Sequence, residues 1–293
     1  MLQALVNGLL IGGVYALIAI GLSMIHGVMK IVNFAQGDFL TVGMYFSFIF
    51  YTVLPKGSLP YWLLVPVAIV MFIFGVIVFR TGIIRVIGKG DSNYIILTFG
   101  LSYLIQNLLQ LIFSPNFRSL SIPNTLKYGA ITFFDENLIL GSPRLIAFFG
   151  ALVFVILITY FLNSTDLGRA MRATAENTTV AKTLGINVKL VFTIAFSLGT
   201  VFAGIAGLLM TPMFLIFPQA GTTFSTIAMC AMVMGGLGNL KGAMIGGLIL
   251  GLIESLSNHY LTMDIAPVVI NTVLILVLVF RPYGIFGQGG RRA

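Results

Sequence analysis

The sequence predicts an all-α polytopic membrane protein of about 8–10 transmembrane helices, some broken or re-entrant, with the N-terminus outside and the C-terminus cytoplasmic. Mean hydropathy is +1.06, and only 8% of residues are charged against 58% hydrophobic. Soluble domains carry about 25% charged residues, so this chain belongs in a bilayer. Apolar runs near the ~20 residues that a helical span requires recur about nine times across short polar breaks, which leaves no room for a soluble catalytic domain. Taking those runs as spans, Lys30, Arg80, Arg85, Lys89, Arg169, Arg172, Lys182, Lys189, Lys241, Arg281, Arg291 and Arg292 fall on one side. Lys56, Arg118, Lys127 and Arg144 fall on the other. The excess of cations marks the first side as cytoplasmic. The net charge of +8 therefore speaks for membrane lipid and not for nucleic acid.

Residues 1–293 read as one transmembrane unit, with 114–144 as an external loop and 164–190 as a cytoplasmic loop. The first span, roughly Leu2 to Ile25, has no Lys or Arg ahead of its apolar run and no small-residue cleavage site, so it is expected to be a span and not a signal peptide. Gly8, Gly12 and Ala16 line one thin face suited to close helix contact. His26 at its end reads as an interfacial histidine more readily than as a proton carrier. In GVMKIVNFAQGDF, residues 27–39, Asn33, Gln36, Gly37 and Asp38 sit between two apolar runs with almost no linker, so the backbone is expected to break within or near the membrane. Two readings of Asp38 stay open: a functional acid at membrane depth, or a cap on the second span at the interface.

The second span (Leu40 to Val53) and third (Tyr61 to Phe79) are joined outside by LPKGSLP, a turn set by Pro55, Gly57 and Pro60. Tyr61 and Trp62 are interfacial anchors. The cytoplasmic Gly88-Lys89-Gly90 lacks both the Gly five positions earlier and the Ser or Thr after the Lys that a phosphate loop needs, and GGLGNLKG at 235–242 fails alike. No nucleotide site is evident. In the fourth span, Tyr94 to Phe113, Thr98, Ser102, Gln106 and Gln110 recur every four residues on one face. Such a stripe suits either a hydrophilic pathway or hydrogen bonding between helices.

Within the external segment, AITFFDENLIL predicts two short strands about a turn at Asp135-Glu136-Asn137. The fifth span is Leu145 to Leu162. Beyond it, LGRAMRATAENTTVAKTLGINVKL interleaves Ala170, Ala173, Val180, Ala181 and Leu184 with Arg169, Arg172, Glu176 and Lys182, which predicts one short amphipathic helix ended by Gly185. A solvated linker on the membrane surface is the plainer alternative. The sixth span, Val191 to Met210, carries Gly199, Ala203 and Gly207 as a second contact face. Two spans then meet with scarcely a loop around Thr222–Gly251, where Gly238, Gly242 and Gly246 form one series and Gly247 with Gly251 another. Met229, Met232 and Met234 read as core filler. Glu254 is a second acid at possible membrane depth, with Asn258 as its simplest partner. Asp264 and Pro267 precede the ninth span, which ends in Arg281-Pro282-Tyr283-Gly284 and a basic tail. The lone Cys230 in an apolar run reads as packing and leaves neither a disulfide nor a cysteine metal site. His26 and His259 lie at opposite faces, and no nucleophile–base pair is apparent, so an intramembrane enzyme finds no constellation.

NFAQGDF at 33–39, RATAENTTVAKTLGI, GGLGNLKGAMIGG at 235–247 and the ending FRPYGIFG together resemble the high-affinity branched-chain amino acid ABC permease family of the LivH type. Gln36 and Asp38 stand where that family often has His and Glu. Ala181, three residues, then Gly185 is similar to the coupling-loop motif of ABC import permeases, with Thr179 and Val180 in place of its Glu and first Ala. The resemblance implies a permease domain in the bacterial inner membrane, without enzymatic activity of its own. It further implies a second permease of the LivM type, two cytoplasmic ABC ATPases that use the ATP, and a periplasmic substrate-binding protein, with no cofactor in this chain. Asn33, Gln36, Asp38, Thr98, Ser102 and Gln106 are the candidate pathway residues, and Arg172, Glu176, Ala181 and Gly185 the candidate ATPase-coupling residues. Transport of urea or short amides, or ion-coupled secondary transport through Asp38 and Glu254, are the alternatives.

Overall fold

The computed structural model describes residues 1–53, 60–120, 130–133, 138–261 and 265–287. The turn residues Pro55 and Gly57, the apex Asp135–Asn137, Asp264 and the tail cations Arg291 and Arg292 lie outside them. Among the described residues nine long helices form the bundle: α1 (Leu2–Met29), α2 (Gln36–Val53), α3 (Leu64–Thr81), α4 (Asp91–Phe113), α5 (Ser142–Ser164), α8 (Val188–Met210), α9 (Ala220–Gly235), α10 (Leu240–Tyr260) and α11 (Ala266–Phe280). Two short helices, α6 (Asp166–Glu176) and α7 (Thr178–Thr183), lie between α5 and α8. One hairpin pairs β1 (Ala130–Phe133) with β2 (Leu138–Gly141), antiparallel, with Ala130 opposite Gly141 and Phe133 opposite Leu138. The hairpin expected from the sequence is thus present on either side of its apex.

Six of the helices are long and apolar enough to cross a membrane, while α9 and α11 are shorter apolar helices. The chain is all-α apart from the hairpin among the described residues, as the composition predicts. The peripheral helices turn apolar stripes outward: Val65, Ile69, Ile73 and Ile77 of α3 are exposed at four-residue spacing, the face a lipid-contacting helix presents. By contrast α1 is buried along nearly its whole length and, with α8, forms the centre of the bundle. One end of the bundle, where α1, α3 and α5 finish, carries Lys30, Arg80 and Arg169 and is called the basic end below; the other is the far end.

Small residues set the packing. In hydrocarbon no hydrophobic force pulls helices together, so close van der Waals contact and hydrogen bonds must hold them. The two glycine series of α10 serve different neighbours. Gly242 and Gly246 abut Gly235 and Ala231 of α9, whereas Gly247 and Gly251 abut Ala16 and Gly12 of α1. The face Gly8, Gly12, Ala16 of α1 is met as predicted: a Cβ on Gly12 would lie 2.9 Å from the Leu248 Cα, and one on Gly8 2.8 Å from the Gly251 carbonyl oxygen. In α8 the expected single face divides, with Gly199 against Gly21 and Ile25 of α1 and Gly207 against Leu40 of α2.

Three departures from the sequence reading have a local physical cause. α2 begins at Gln36 and not near Leu40, because the polar residues there bond within the bundle instead of facing water. α5 begins at Ser142, so Arg144 lies in the first turn of a helix and not in a loop. The amphipathic loop holds two helices in place of one. Asn177 leaves helical geometry at φ −153°, and its side chain accepts from the amides of Thr179 and Val180, so it starts a new helix.

Candidate functional site

The chain reverses at Lys30, a non-glycine residue in the left-handed region at φ 58°, and re-enters the bundle. The five residues from Ile31 to Ala35 are not helical, and α2 starts with Gln36 completely buried. Its amide Nε2 donates to the Gly199 carbonyl at 3.0 Å. Gly199 lies eleven residues into α8, which places the start of α2 about 16 Å from the basic end at 1.5 Å per residue. Irregular backbone at that depth must find its hydrogen bonds in protein. Ser225 of α9 supplies both kinds: its Oγ accepts from the Gly37 amide at 2.8 Å and donates to the Phe34 carbonyl at 2.9 Å. Asn33, also fully buried, accepts from the Ala35 amide at 3.2 Å and donates to Gln36 Oε1 at 3.2 Å.

The first turns of α2 and α9 meet back to back. A Cβ on Gly37 would run into the Gly221 carbonyl, and one on Gly221 would run into Asp38. Two helix N-termini, each the positive end of its dipole, therefore converge on one carboxylate. Asp38 is fully buried in the first turn of α2, so it is both a first-turn residue and an acid at membrane depth. Its Oδ1 accepts from Gln106 Nε2 of α4 at 2.8 Å, and the same nitrogen lies 3.1 Å from the Ser102 hydroxyl oxygen. Oδ2 is buried without a hydrogen-bond partner.

The structure thus unites Asp38, Ser102 and Gln106 in one network and Asn33 with Gln36 in a second beside it. Thr98 is buried on the same α4 face, but its hydroxyl bonds to the Tyr94 and Ile95 carbonyls of its own helix. Gln110, the last of the stripe, is exposed and accepts from Gln219 at 3.2 Å. Phe34 stacks on Phe99 and Tyr45 on Phe113, with centroids 4.3 and 4.5 Å apart, holding α4 parallel to α2 above and below Asp38. Ser225 was not singled out from the sequence, since one serine in an apolar run carries no signal until its partners are known.

The second candidate region lies at the basic end. Thr165 caps α6 by accepting from the Gly168 amide at 3.0 Å. A Cβ on Gly168 would collide with the Leu162 carbonyl, so glycine lets α6 fold back over the end of α5. Arg172 secures that fold, donating to the Leu162 carbonyl and, at 3.3 Å, to Asn163 Oδ1. Glu176 is exposed at the end of α6 and shares a cleft with Lys30 and Arg172. Ala181 is buried, and Gly185, at φ 81°, closes the segment in the left-handed conformation that glycine adopts without cost. Val180 and Leu184 are 51% and 72% exposed, leaving apolar side chains outward on the short helix.

A family model described as "Branched-chain amino acid transport system / permease component" matches residues 4–279. Over 98% of its length the chain is 34% identical to the high-affinity branched-chain amino acid transport system permease protein LivH of Escherichia coli strain K12, 96% of which is covered. It is 35% identical, over the same shares, to the corresponding permease protein BraD of Pseudomonas aeruginosa. To the permease protein LivM of Escherichia coli strain K12 it is 23% identical over 93% of this chain and 67% of that protein. No solved structure matches the chain.

Proposed function

The chain belongs to the family of branched-chain amino acid transport system permease components, and from that we propose that it is one membrane subunit of an ATP-driven importer of branched-chain, hydrophobic amino acids. It is a multi-pass inner-membrane protein. The single observation that carries the proposal is the match to LivH and BraD over 98% of a chain that has, among its described residues, six helices long and apolar enough to cross a membrane. ATP is bound and hydrolysed by two partner ATPases at the cytoplasmic face, a second permease of the LivM type completes the pathway, and a periplasmic protein delivers the cargo. The basic end is then cytoplasmic, consistent with its cations.

In this reading α6 and α7, with Arg172, Glu176, Ala181 and Gly185, take up the motion of the ATPases. The exposed Val180 and Leu184 support that role. Gating is a rocking of packed helices about the point where the first turns of α2 and α9 meet, and the network of Asn33, Gln36, Asp38, Ser102 and Gln106, with Thr98 beside it, lines or braces the path. The test is uptake of labelled leucine by vesicles holding the whole complex. The expected uptake requires ATP and external binding protein and survives an uncoupler. Uptake that persists without ATP and collapses with the uncoupler would install the second reading, an ion-coupled carrier, which the buried Asp38 and the half-buried Glu254 favour. Uptake of urea or short amides without leucine would overturn the cargo.

A further inference from the structure

A cavity of about 580 Å³ opens among α1, α5, α9, α10 and α11 toward the far end, within the roughly 300–1,000 Å³ typical of ligand sites. Its charged lining is one acid and one base, Glu254 of α10 and Arg144 of α5. A second cavity of about 380 Å³ shares Glu254, Met213, Phe214, Thr223 and Ile227 with it and continues to Tyr15 and Ala220. Ala220 is the residue before Gly221, against which Asp38 is packed. The two cavities together lead from the far end to the meeting point of α2 and α9.

Neither charge is explained by the fold. Tyr15 and Glu254 line the same cavity, and Glu254 Oε2 is buried with no hydrogen-bond partner, a state that calls for an explanation. Glu254 lies six residues before the end of α10, about 9 Å along the helix. Arg144 stands in the first turn of α5, where a cation opposes the helix dipole. That turn and its guanidinium form a place for an anion. The rest of the wall is mixed, with Ile11, Ile227 and Ile270 as its aliphatic part and Thr223, Thr226, Asn258 and Asn271 as its uncharged polar part.

We infer that this cavity is a binding site in the permease for the zwitterion of an aliphatic amino acid, with Glu254 receiving the α-ammonium and Arg144 the α-carboxylate. The aliphatic side chain lies against Ile11, Ile227 and Ile270. The inference rests on the amino acid importer reading and places its cargo at a defined point. Selectivity is then exercised twice, once by the external binding protein and once at the entrance of the membrane path. Cargo without an amino group, or without a carboxylate, leaves one buried charge uncompensated and is refused there.

The test uses the complete transporter in vesicles, supplied with a photoreactive leucine whose side chain carries a diazirine, followed by peptide mapping of the adducts. Adducts are expected in α9 and α11 near Ile227 and Ile270 and are abolished by excess leucine. Glu254→Gln and Arg144→Gln, which keep the shape of the wall, each lower this labelling by about tenfold or more, the size of a lost charge-assisted hydrogen bond. In Glu254→Gln, the deaminated analogue 4-methylpentanoate, inert toward labelling of the unaltered complex, becomes a competitor. Adducts confined to other helices, or labelling indifferent to both substitutions, would overturn the inference while ATP-driven leucine uptake left the importer reading intact. Protection by phosphatidylethanolamine but not by leucine would mark a lipid headgroup site and overturn it as well. Absence of leucine uptake by the unaltered complex would instead remove the reading beneath it.

Discussion

Gln106 of α4 reaches across 68 positions of sequence to donate a 2.8 Å hydrogen bond to Asp38 of α2, a polar tie between these helices at membrane depth. The aromatic stacks on either side of it supply apolar contact but fix no register. The register of α4 on α2 is therefore set by one amide.

Gln106→Leu is expected to deprive Asp38 Oδ1 of its Gln106 donor and to cost roughly 1–3 kcal/mol, the penalty of an unsatisfied buried group. Uptake falls while the complex still assembles. Asp38→Asn alone keeps partial bonding and costs less. The double variant Asp38→Leu with Gln106→Leu recovers part of the loss, which thermal unfolding in detergent measures. Additive losses would mean that the two side chains do not act as a pair.

Glycine contacts make a sharper prediction about assembly. Gly12→Val places a branched side chain where the Leu248 backbone already stands, so α1 and α10 must separate and properly folded protein is lost. Gly100→Ala is the control, because nothing lies within 4 Å of a Cβ there. It is expected to stabilise α4 by about 0.5–1 kcal/mol through helix propensity. Yield and the detergent melting profile of both variants check the contrast.

At the basic end the exposed apolar pair separates docking from folding. Leu184→Asp and Val180→Asp leave the local fold intact, since both side chains face outward, and weaken capture of the ATPases and stimulated ATP turnover. Ala181→Arg acts differently: its site is buried, so the segment itself is disrupted. Docking of the external binding protein is unchanged in all three. Full stimulation of ATP hydrolysis in Leu184→Asp would remove this face from the coupling surface.

Asn177 holds the break between α6 and α7. Asn177→Ala deletes the cap on two amides and is expected to cost about 1 kcal/mol of local stability. Faster hydrogen exchange at Thr179 and Val180, with exchange in α8 unaltered, is the expected signature.

The nine helices were legible because each answers to a local rule, hydropathy over a run or the cadence of small residues. The double series at Gly242, Gly246 and Gly247, Gly251 is visible in the sequence, but that its two faces meet different helices is not. The depth of Gln36 is not legible, because the sequence places the backbone break only within or near the membrane, whereas the partners that fix it, the Gly199 carbonyl for Gln36 and Ser225 for the Gly37 amide, lie far along the chain. The split at Asn177 was hidden by a periodicity that continues through the cap. That Arg144 and Glu254 line one cavity is not foreseeable, since the meeting of residues so far apart along the chain is a property of packing and not of pattern.

The backbone contact of α1 with α10 also dictates the order of biogenesis. The first helix enters the bilayer with its thin face bare, and the chain that covers it is completed only after Gly251, roughly ten to fifty seconds of translation later at ~5–20 residues per second. Until then the nascent protein holds its central helix ready for a mate not yet made.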